Sequence, residues 1–327
     1  MIYIENRSTN PYYNLALEEY VLKNLYDDEN YVLLWQNRPS IIIGKFQNTI
    51  EEINSKFVKE NNIFVVRRMS GGGAVYHDLG NLNFTFIVKK QPNKLFDFRE
   101  YTIPVMKTLK ELGINVEFSS RNDLTIDGKK FSGNAQYIYK NRLLHHGTIL
   151  FNSDLTVLQN ALKVSSDKIE SKGIKSVRSR VTNITDYLKD DITIDEFKSL
   201  LLKNMFEENP ITEYKLSPQD EEKIQQLVKE KYETWEWNYG ESPEYNMKKS
   251  RRFNSGKIEV RLNVKDGFIK ECKIYGDFFG IKDVSDIEEK LKGEKFKEDN
   301  ITSILKEIDL TQYFGDITLE EFLTCFF

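Results

Sequence analysis

Three consecutive glycines, Gly71 to Gly73, stand between the apolar run Ile63–Val66 and the alternating run Leu82, Phe84, Phe86. Glycine lacks a Cβ, so the backbone can adopt φ > 0 and can come close to a ligand. The pattern predicts a buried strand that feeds a glycine loop and a half-buried strand that leaves it. Arg67-Arg68 precede the loop and His77-Asp78 follow it. Successive free N–H groups can form an anion-binding nest, and guanidiniums pair bidentately with carboxylate or phosphate. No G-K-[ST] closes the loop, and the spacing is not G-x-G-x-x-G. A hairpin turn is the plain alternative; the flanking arginines and the His-Asp pair favour a binding loop.

A second constellation is Arg121-Asn122-Asp123 through Gly133-Asn134-Ala135. Asp127-Gly128 between two β-like runs predicts a hairpin. That turn brings Asp123 and Lys130 together. Asp123 is a hard oxygen ligand suited to Mg²⁺, and Lys130 is a cation suited to a phosphate or acyl oxygen. A solvated, exposed hairpin is the plain alternative. Two further runs are His145-His146-Gly147-Thr148 and the basic, small and polar stretch Lys172 to Arg180. The latter suits a lid over an anionic intermediate. No zinc-like spacing surrounds His145-His146.

The chain's length of 327 residues predicts one large and one small domain. Asn10 and Pro11 open a helix to about Leu25. Tyr31–Trp35, Ser40–Ile43, Asn115–Phe118, Asp123–Ile126, Lys130–Ala135 and Thr148–Phe151 read as strands. Helices are expected over Tyr101–Leu112, from Thr193 to about Phe206 and from Ser217 to about Tyr232. Glu241–Lys249 is polar and aperiodic, so the boundary is placed there: domains 1–245 and 246–327. The second domain reads as strands Lys257–Val264 and Ile269–Tyr275, then helices after Ser285-x-x-Glu288, Asn300 and Thr318-x-x-Glu321. The fold class is α+β: a large mixed-sheet domain and a small α+β domain.

In order, these runs resemble the ATP-dependent bacterial lipoate–protein ligases. Arg67 to Asn81 matches the family's R-R-x-S-G-G-G-A-V-[YF]-H-D-x-G-N. Ser120–Asp123 stands for G-R-N-D, with serine first. Lys130–Ala135 matches K-x-S-G-x-A, and Ser176–Asn183 matches S-V-R-S-R-V-T-N. Asn10 to Glu19 resembles N-P-x-x-N-L-A-x-E-E, and Trp235 to Gly240 resembles W-x-W-x-[FY]-G. The resemblance is weak in the last 80 or so residues.

The resemblance implies a two-step reaction. Lipoate and ATP give lipoyl-AMP and pyrophosphate, with Mg²⁺; the acyl group then passes to a lysine of an acceptor domain. Acceptors would be 2-oxoacid dehydrogenase E2 subunits and the glycine-cleavage H protein, in lipoate salvage. Lys130 is the expected catalytic residue, acting electrostatically on the acyl oxygen and the phosphate. The adenylate is expected on Arg68, Gly73, Ala74, Val75, Tyr76 and His77, together with Asn122, Asp123, Lys130 and Arg178. Lipoate is expected on Lys130, Trp35, Ser70, Gly72, Gly73, Val75 and His146. Asp123 is the candidate Mg²⁺ ligand.

Net charge is only −4, so no strong field favours nucleic acid or an anionic membrane. There is no 18-residue apolar run and no signal-peptide pattern, and a cytoplasmic monomer is expected. Related octanoyl transferases and amidotransferases use a cysteine thioester. Here the cysteines, Cys272 and Cys325, lie far along the chain from the glycine loop and from Lys130. The G-R-G-R-x-G-R loop of biotin ligases is lacking. A non-catalytic scaffold that binds lipoate or an acyl carrier is the other alternative.

Overall fold

A computed structural model describes residues 1–25, 28–90, 97–119, 122–162, 181–207, 209–239 and 246–327. They form two compact units. The first comprises Met1–Ile43, Ile50–Arg67 and Val75–Asn238; the second comprises Gly44–Thr49, Arg68–Ala74 and Tyr239–Phe327.

The strands of the first unit are β1 (Ile2–Glu5), β2 (Tyr31–Trp35), β3 (Ser40–Ile43), β4 (Phe64–Arg67), β5 (Val75–His77), β6 (Asn81–Lys89), β7 (Glu117–Phe118), β8 (Asp123–Ile126), β9 (Lys129–Tyr139), β10 (Arg142–Leu150) and β11 (Thr212–Glu213). Eight make one mixed sheet in the order β11-β1-β2-β6-β10-β9-β8-β7, and β4-β3-β5 make a small second sheet. Helices Phe98–Glu111 and Ile194–Met205 cover one face of the large sheet. Val105, Leu109, Phe197 and Leu201 meet Phe84, Leu124, Phe131 and Ile149 in a buried core.

Helix α1 (Pro11–Asn24) begins where the sequence places it. The Asn10 side chain accepts the Tyr12 N–H at 3.0 Å, and Pro11 occupies the first turn. Its C-terminal end is held by an unexpected residue. Arg142 on β10, 1% exposed, donates to the carbonyls of Val21, Leu22 and Leu25 at 3.0–3.3 Å, and to that of Glu29 at 3.3 Å. One guanidinium thus satisfies carbonyls that have no intrahelical partner, and its charge complements the helix dipole. Arg142→Met should leave several buried acceptors unpaired and cost about 3 kcal/mol. Urea unfolding checks this; a change below about 0.5 kcal/mol, typical of surface substitutions, would show that water replaces the guanidinium.

Several expectations are corrected. β6 is buried on both faces: Asn83 and Thr85 alternate with Phe84 and Phe86 as expected but are 1% and 0% exposed. The polar face is covered because its groups are paired: the Thr85 hydroxyl donates to Glu18 on α1, and the Asn83 amide donates to the Trp35 carbonyl. The helix expected from Tyr101 starts at Phe98, because Asp97 caps it by accepting from the Arg99 and Glu100 N–H groups. β9 and β10 run well beyond Lys130–Ala135 and Thr148–Phe151 and pair with each other from Arg142↔Tyr139 to Gly147↔Asn134.

In the second unit β12 (Met247–Phe253), β13 (Gly256–Lys265) and β14 (Phe268–Gly276) form an antiparallel sheet. Helices Ser285–Leu291, Glu298–Lys306, Thr311–Phe314 and Leu319–Leu323 share its core of Ile258, Val260, Leu262, Ile274, Phe314 and Phe322. β12 overlaps the stretch read as an aperiodic connection. Its charges hide the alternation, and ion pairs Lys248–Glu259 (3.3 Å) and Arg252–Asp277 (3.5 Å) accommodate them. Ser285 is the first residue of its helix rather than the cap. Glu288 does not close a capping box there; it accepts from the Ile274 N–H at 2.9 Å and from Lys273 at 2.6 Å. Capping boxes do form at Thr193 and Thr318, where the helices expected at those residues begin. Among the described residues no helix is long and apolar enough to cross a membrane.

Candidate active site

The Asp127-Gly128 turn has φ of 50° and 73° at its two residues, the left-handed pair that joins two strands tightly. It sets Lys130 opposite Thr125, and Gly133 opposite Asp123. Lys130 Nζ lies 2.7 Å from Asp123 Oδ1, with both side chains about a third exposed (37% and 32%). The juxtaposition read from the hairpin is therefore present. The strand is pinned on its other side, where the Thr182 N–H donates to the Lys130 carbonyl at 3.0 Å. Asn122 and Asn134 exchange side-chain to backbone hydrogen bonds at 2.6 and 3.0 Å, which fastens the start of β8 to β9. The result is a fixed cation beside a carboxylate, open to solvent on one side.

A buried polar chain lies elsewhere in the same unit. Trp35 Nε1 donates to the Thr85 hydroxyl at 2.9 Å, and that hydroxyl donates to Glu18. Both oxygens of Glu18 stand 3.1 Å from His146 Nδ1. Trp35 is 2% and His146 9% exposed. Glu18 carries no role in the sequence reading. Its signal is a pair of carboxylates, Glu18-Glu19, inside an otherwise apolar helix: buried charges need partners. Glu19 has its own, accepting from Lys23, Lys231 and Tyr232 at 2.6–2.7 Å. Burial opposes its charge, but the two lysines and a hydrogen bond from Tyr232 hold its carboxyl below the usual range.

His77 closes a second chain of amides. Asn6 donates to Asn14, Asn14 to Asn37, and Asn37 to His77 Nδ1, at 2.8–3.1 Å. Accepting at Nδ1 places the ring hydrogen on Nε2. Asp78 is used by the chain itself, accepting from the Gly80 and Asp154 N–H groups at 2.9 and 2.8 Å. Tyr76 is buried, and burial with nearby Asp78 and Asp154 pushes its phenol up. His145 is a core residue: burial, then His146, push its pKa well down. It accepts from Gln136 and donates to Asn134 at 3.1 and 3.2 Å.

The glycine loop belongs to the second unit. Arg68, 6% exposed, turns its guanidinium onto the loop itself: Nε donates to Ser70 Oγ at 3.0 Å and Nη2 to the carbonyls of Gly71 (2.6 Å) and Gly73 (2.9 Å). The three glycines are not equivalent. Gly72 has φ of +90°, a conformation that favours glycine. A Cβ at Gly71 would strike the Phe278 carbonyl, and the Gly72 N–H donates to that same oxygen at 3.4 Å. Among the described residues no atom lies within 4 Å of where a Gly73 Cβ would stand, and Gly73 is half-buried like Ala74 and Val75. Gly73 is thus the open position of the loop among the described residues. Arg178 and the rest of Lys172–Arg180 lie outside the described residues, as do Ser120, Arg121 and Gly240.

Both cysteines are buried in the second unit. Burial, then Glu288, push the Cys272 thiol far up, and burial takes Cys325 to about 11. Neither supplies the thiolate that acyl transfer through a thioester needs. Among the described residues no three carboxylate, histidine or cysteine side chains converge as a metal cage. Asp123 offers a single hard ligand, which fits a Mg²⁺ ion carried mainly by phosphates.

Comparison with known proteins places these features. Residues 10–206 match the lipoyl protein ligase A/B catalytic domain, and residues 242–326 match the bacterial lipoate protein ligase C-terminus. The chain is 52% identical over 327 residues to lipoate-protein ligase LplJ of Bacillus subtilis, covering 99% of each. It is 50% identical to lipoate–protein ligase 1 of Staphylococcus aureus, covering 97% of each. Among solved structures it is similar to P. falciparum LipL1 in complex with lipoate, with a TM-score of 0.79, 30% identity and 94% of each chain covered. It is also similar to a lipoate-protein ligase A bound with ATP, with a TM-score of 0.64 and 31% identity over 73% of this chain and 97% of that one. With both domains matched in order and half of its residues shared with curated relatives along its whole length, the chain belongs to the lipoate–protein ligase family.

Proposed function

We propose that this protein is an ATP-dependent lipoate–protein ligase that makes lipoyl-AMP and passes the lipoyl group to a lysine of acceptor domains. The observation that carries the reading is the Lys130 ammonium, 2.7 Å from Asp123 and partly open to solvent on the β8–β9 hairpin. In step one the lipoate carboxylate attacks the α-phosphate of ATP, and pyrophosphate leaves. Two anions must approach each other, and Lys130 supplies a fixed positive charge between them. In step two the acceptor lysine attacks the acyl carbon, and AMP leaves with the bonding electrons. Lys130 then stabilises the developing oxyanion and the departing phosphate. It is not the nucleophile. Mg²⁺, when bound, would neutralise phosphate charge, with Asp123 as one ligand.

The remaining residues take supporting roles in this reading. Gly73, Ala74 and Val75 present backbone to the adenylate, with Tyr76, His77, Asn122 and Arg178 contributing to its site. Arg68 acts by shaping the glycine loop, given the three hydrogen bonds it makes there. Trp35, Ser70, Gly72, Val75 and His146 belong to the lipoate site. The division of labour falls at about residue 245. The acceptors are E2 lipoyl domains and the glycine-cleavage H protein, met by a monomer in the cytoplasm. A bi-partite ligase from Thermoplasma acidophilum, studied with its E2 lipoyl domain, supports this acceptor class; it is 32% identical over 75% of this chain, with a TM-score of 0.66.

The test is direct. The purified chain is incubated with lipoate, ATP and Mg²⁺, and lipoyl-AMP and pyrophosphate are followed by chromatography. An E2 lipoyl domain and an H protein are then added, and their lysines are examined by mass spectrometry. ATP-dependent lipoyl-AMP is expected. Acyl transfer without ATP, or lipoate binding without any product, would sink the reading.

A further inference from the structure

We propose that Gly133 is a positioning residue for Lys130, its missing side chain being the seat in which the lysine ammonium rests. The inference builds on the ligase role of Lys130. Gly133 pairs opposite Asp123 across the hairpin, and Lys130 reaches back over it to meet that carboxylate. A Cβ at Gly133 would stand 2.7 Å from Lys130 Nζ and 2.9 Å from Cε. The next nearest atom, Asp123 Oδ1, is at an ordinary 3.7 Å. Among the described residues, the space that glycine leaves is therefore filled by the end of the lysine side chain.

Backbone shape does not explain the glycine. Gly133 is absent from the positive-φ positions, so an alanine fits the chain's own conformation there. Its N–H donates to Thr148 Oγ1 at 3.2 Å, a bond that alanine would keep. Glycine inside a strand is normally a liability, since it packs nothing and loses the most freedom on folding.

A register shift completes the device. Thr125 pairs with Lys130 but Leu124 pairs with Ser132, so Phe131 is an extra residue on β9. Phe131 is fully buried in the core. Counting out regularly from the Asp127-Gly128 turn, Lys130 stands opposite Thr125 on the Asp123 face, but Asp123 would meet Ser132 and Gly133 would turn to the other face. The bulge re-aims Gly133 to the side of Asp123 and Lys130, as bulges near active sites do. Asp123 then fixes the ammonium by charge and Gly133 admits it by absence. A methyl group at 133 has to displace the ammonium, because the paired strand holds the backbone.

The experiment is Gly133→Ala in the full chain, alone and with Lys130→Ala. Melting temperature is measured, with kcat and KM for transfer from supplied lipoyl-AMP to an E2 lipoyl domain. The single variant should melt at or above the wild-type temperature and yet lose about 10²-fold in kcat, with KM little changed. A merely structural glycine would lose stability along with rate. In the Lys130→Ala background, Gly133→Ala should cost nothing further, since the group it displaces is gone. Wild-type kcat for Gly133→Ala beside an inactive Lys130→Ala would overturn the seat and leave the lysine's role standing. Full activity of Lys130→Ala would remove the lysine from the reaction, and the seat with it.

Discussion

Lys130→Ala is expected to fold normally and to lose roughly 10²–10³-fold in lipoyl ligation. The side chain is a third exposed and pairs with one carboxylate, so its removal strips no core packing. What is lost is a preorganised charge where negative charge develops: between two anions in adenylation, and at the acyl oxygen and phosphate in transfer. Both steps should fall, and supplying lipoyl-AMP should not rescue the variant. Lys130→Arg should recover little, because a planar guanidinium does not fit a seat shaped for a compact ammonium. The measurement is single-turnover formation of lipoyl-AMP, then transfer to an E2 lipoyl domain, beside a melting curve. Near wild-type turnover in both steps would take Lys130 out of the mechanism.

A chain ending after residue 245 should lose at least about 10²-fold in lipoyl-AMP synthesis, by misplacement of the glycine loop. The loop Arg68–Ala74 belongs to the same compact unit as Tyr239–Phe327. Its Gly71 and Gly72 sit against Phe278, and the Phe279 ring would stand 3.1 Å from a Cβ at Gly72. The neighbouring segment Gly44–Thr49 is anchored likewise: Lys45 pairs with Asp283 at 2.6 Å, and the Phe46 ring stacks on Phe278 at 4.8 Å. Truncation removes every one of these partners. Transfer from supplied lipoyl-AMP should survive better, because Lys130 and its hairpin lie wholly in the first unit. A truncated chain that adenylates at full speed would show that the loop holds its shape without Phe278. One that can neither adenylate nor transfer would show that the C-terminal residues serve the Lys130 site as well.

Much of the local structure could be read along the chain, for identifiable reasons. The Asn10-Pro11 start of α1, the capping boxes at Thr193 and Thr318 and the Asp127-Gly128 turn are short-range devices. Each needs only residues a few positions apart, so the sequence contains the whole interaction. β12 escaped because its alternation is written in charged residues whose partners, Glu259 on β13 and Asp277 just past β14, lie further along the chain. The full burial of β6 escaped because it depends on α1 lying across its polar face. The role of Arg142 was invisible, since its four carbonyl partners lie more than 100 residues away.

The same division runs through the site. By itself the sequence determined the family, through ordered motifs, and the Asp123–Lys130 meeting, because a two-residue turn fixes register within one hairpin. It also located the glycine loop, because three successive glycines between an arginine pair and a His-Asp pair are visible along the chain. Tertiary structure alone decided which groups of these motifs are already satisfied. Arg68 turns inward because three acceptors of its own loop surround it. Gly71 packs against the Phe278 carbonyl and Gly72 donates to it, while Gly73 is left open among the described residues. Gly133 proves to be space for an ammonium rather than a bend in the chain. The physical reason is common to all of them. A motif specifies which groups are present, but which are already satisfied depends on atoms that only folding brings within hydrogen-bond distance.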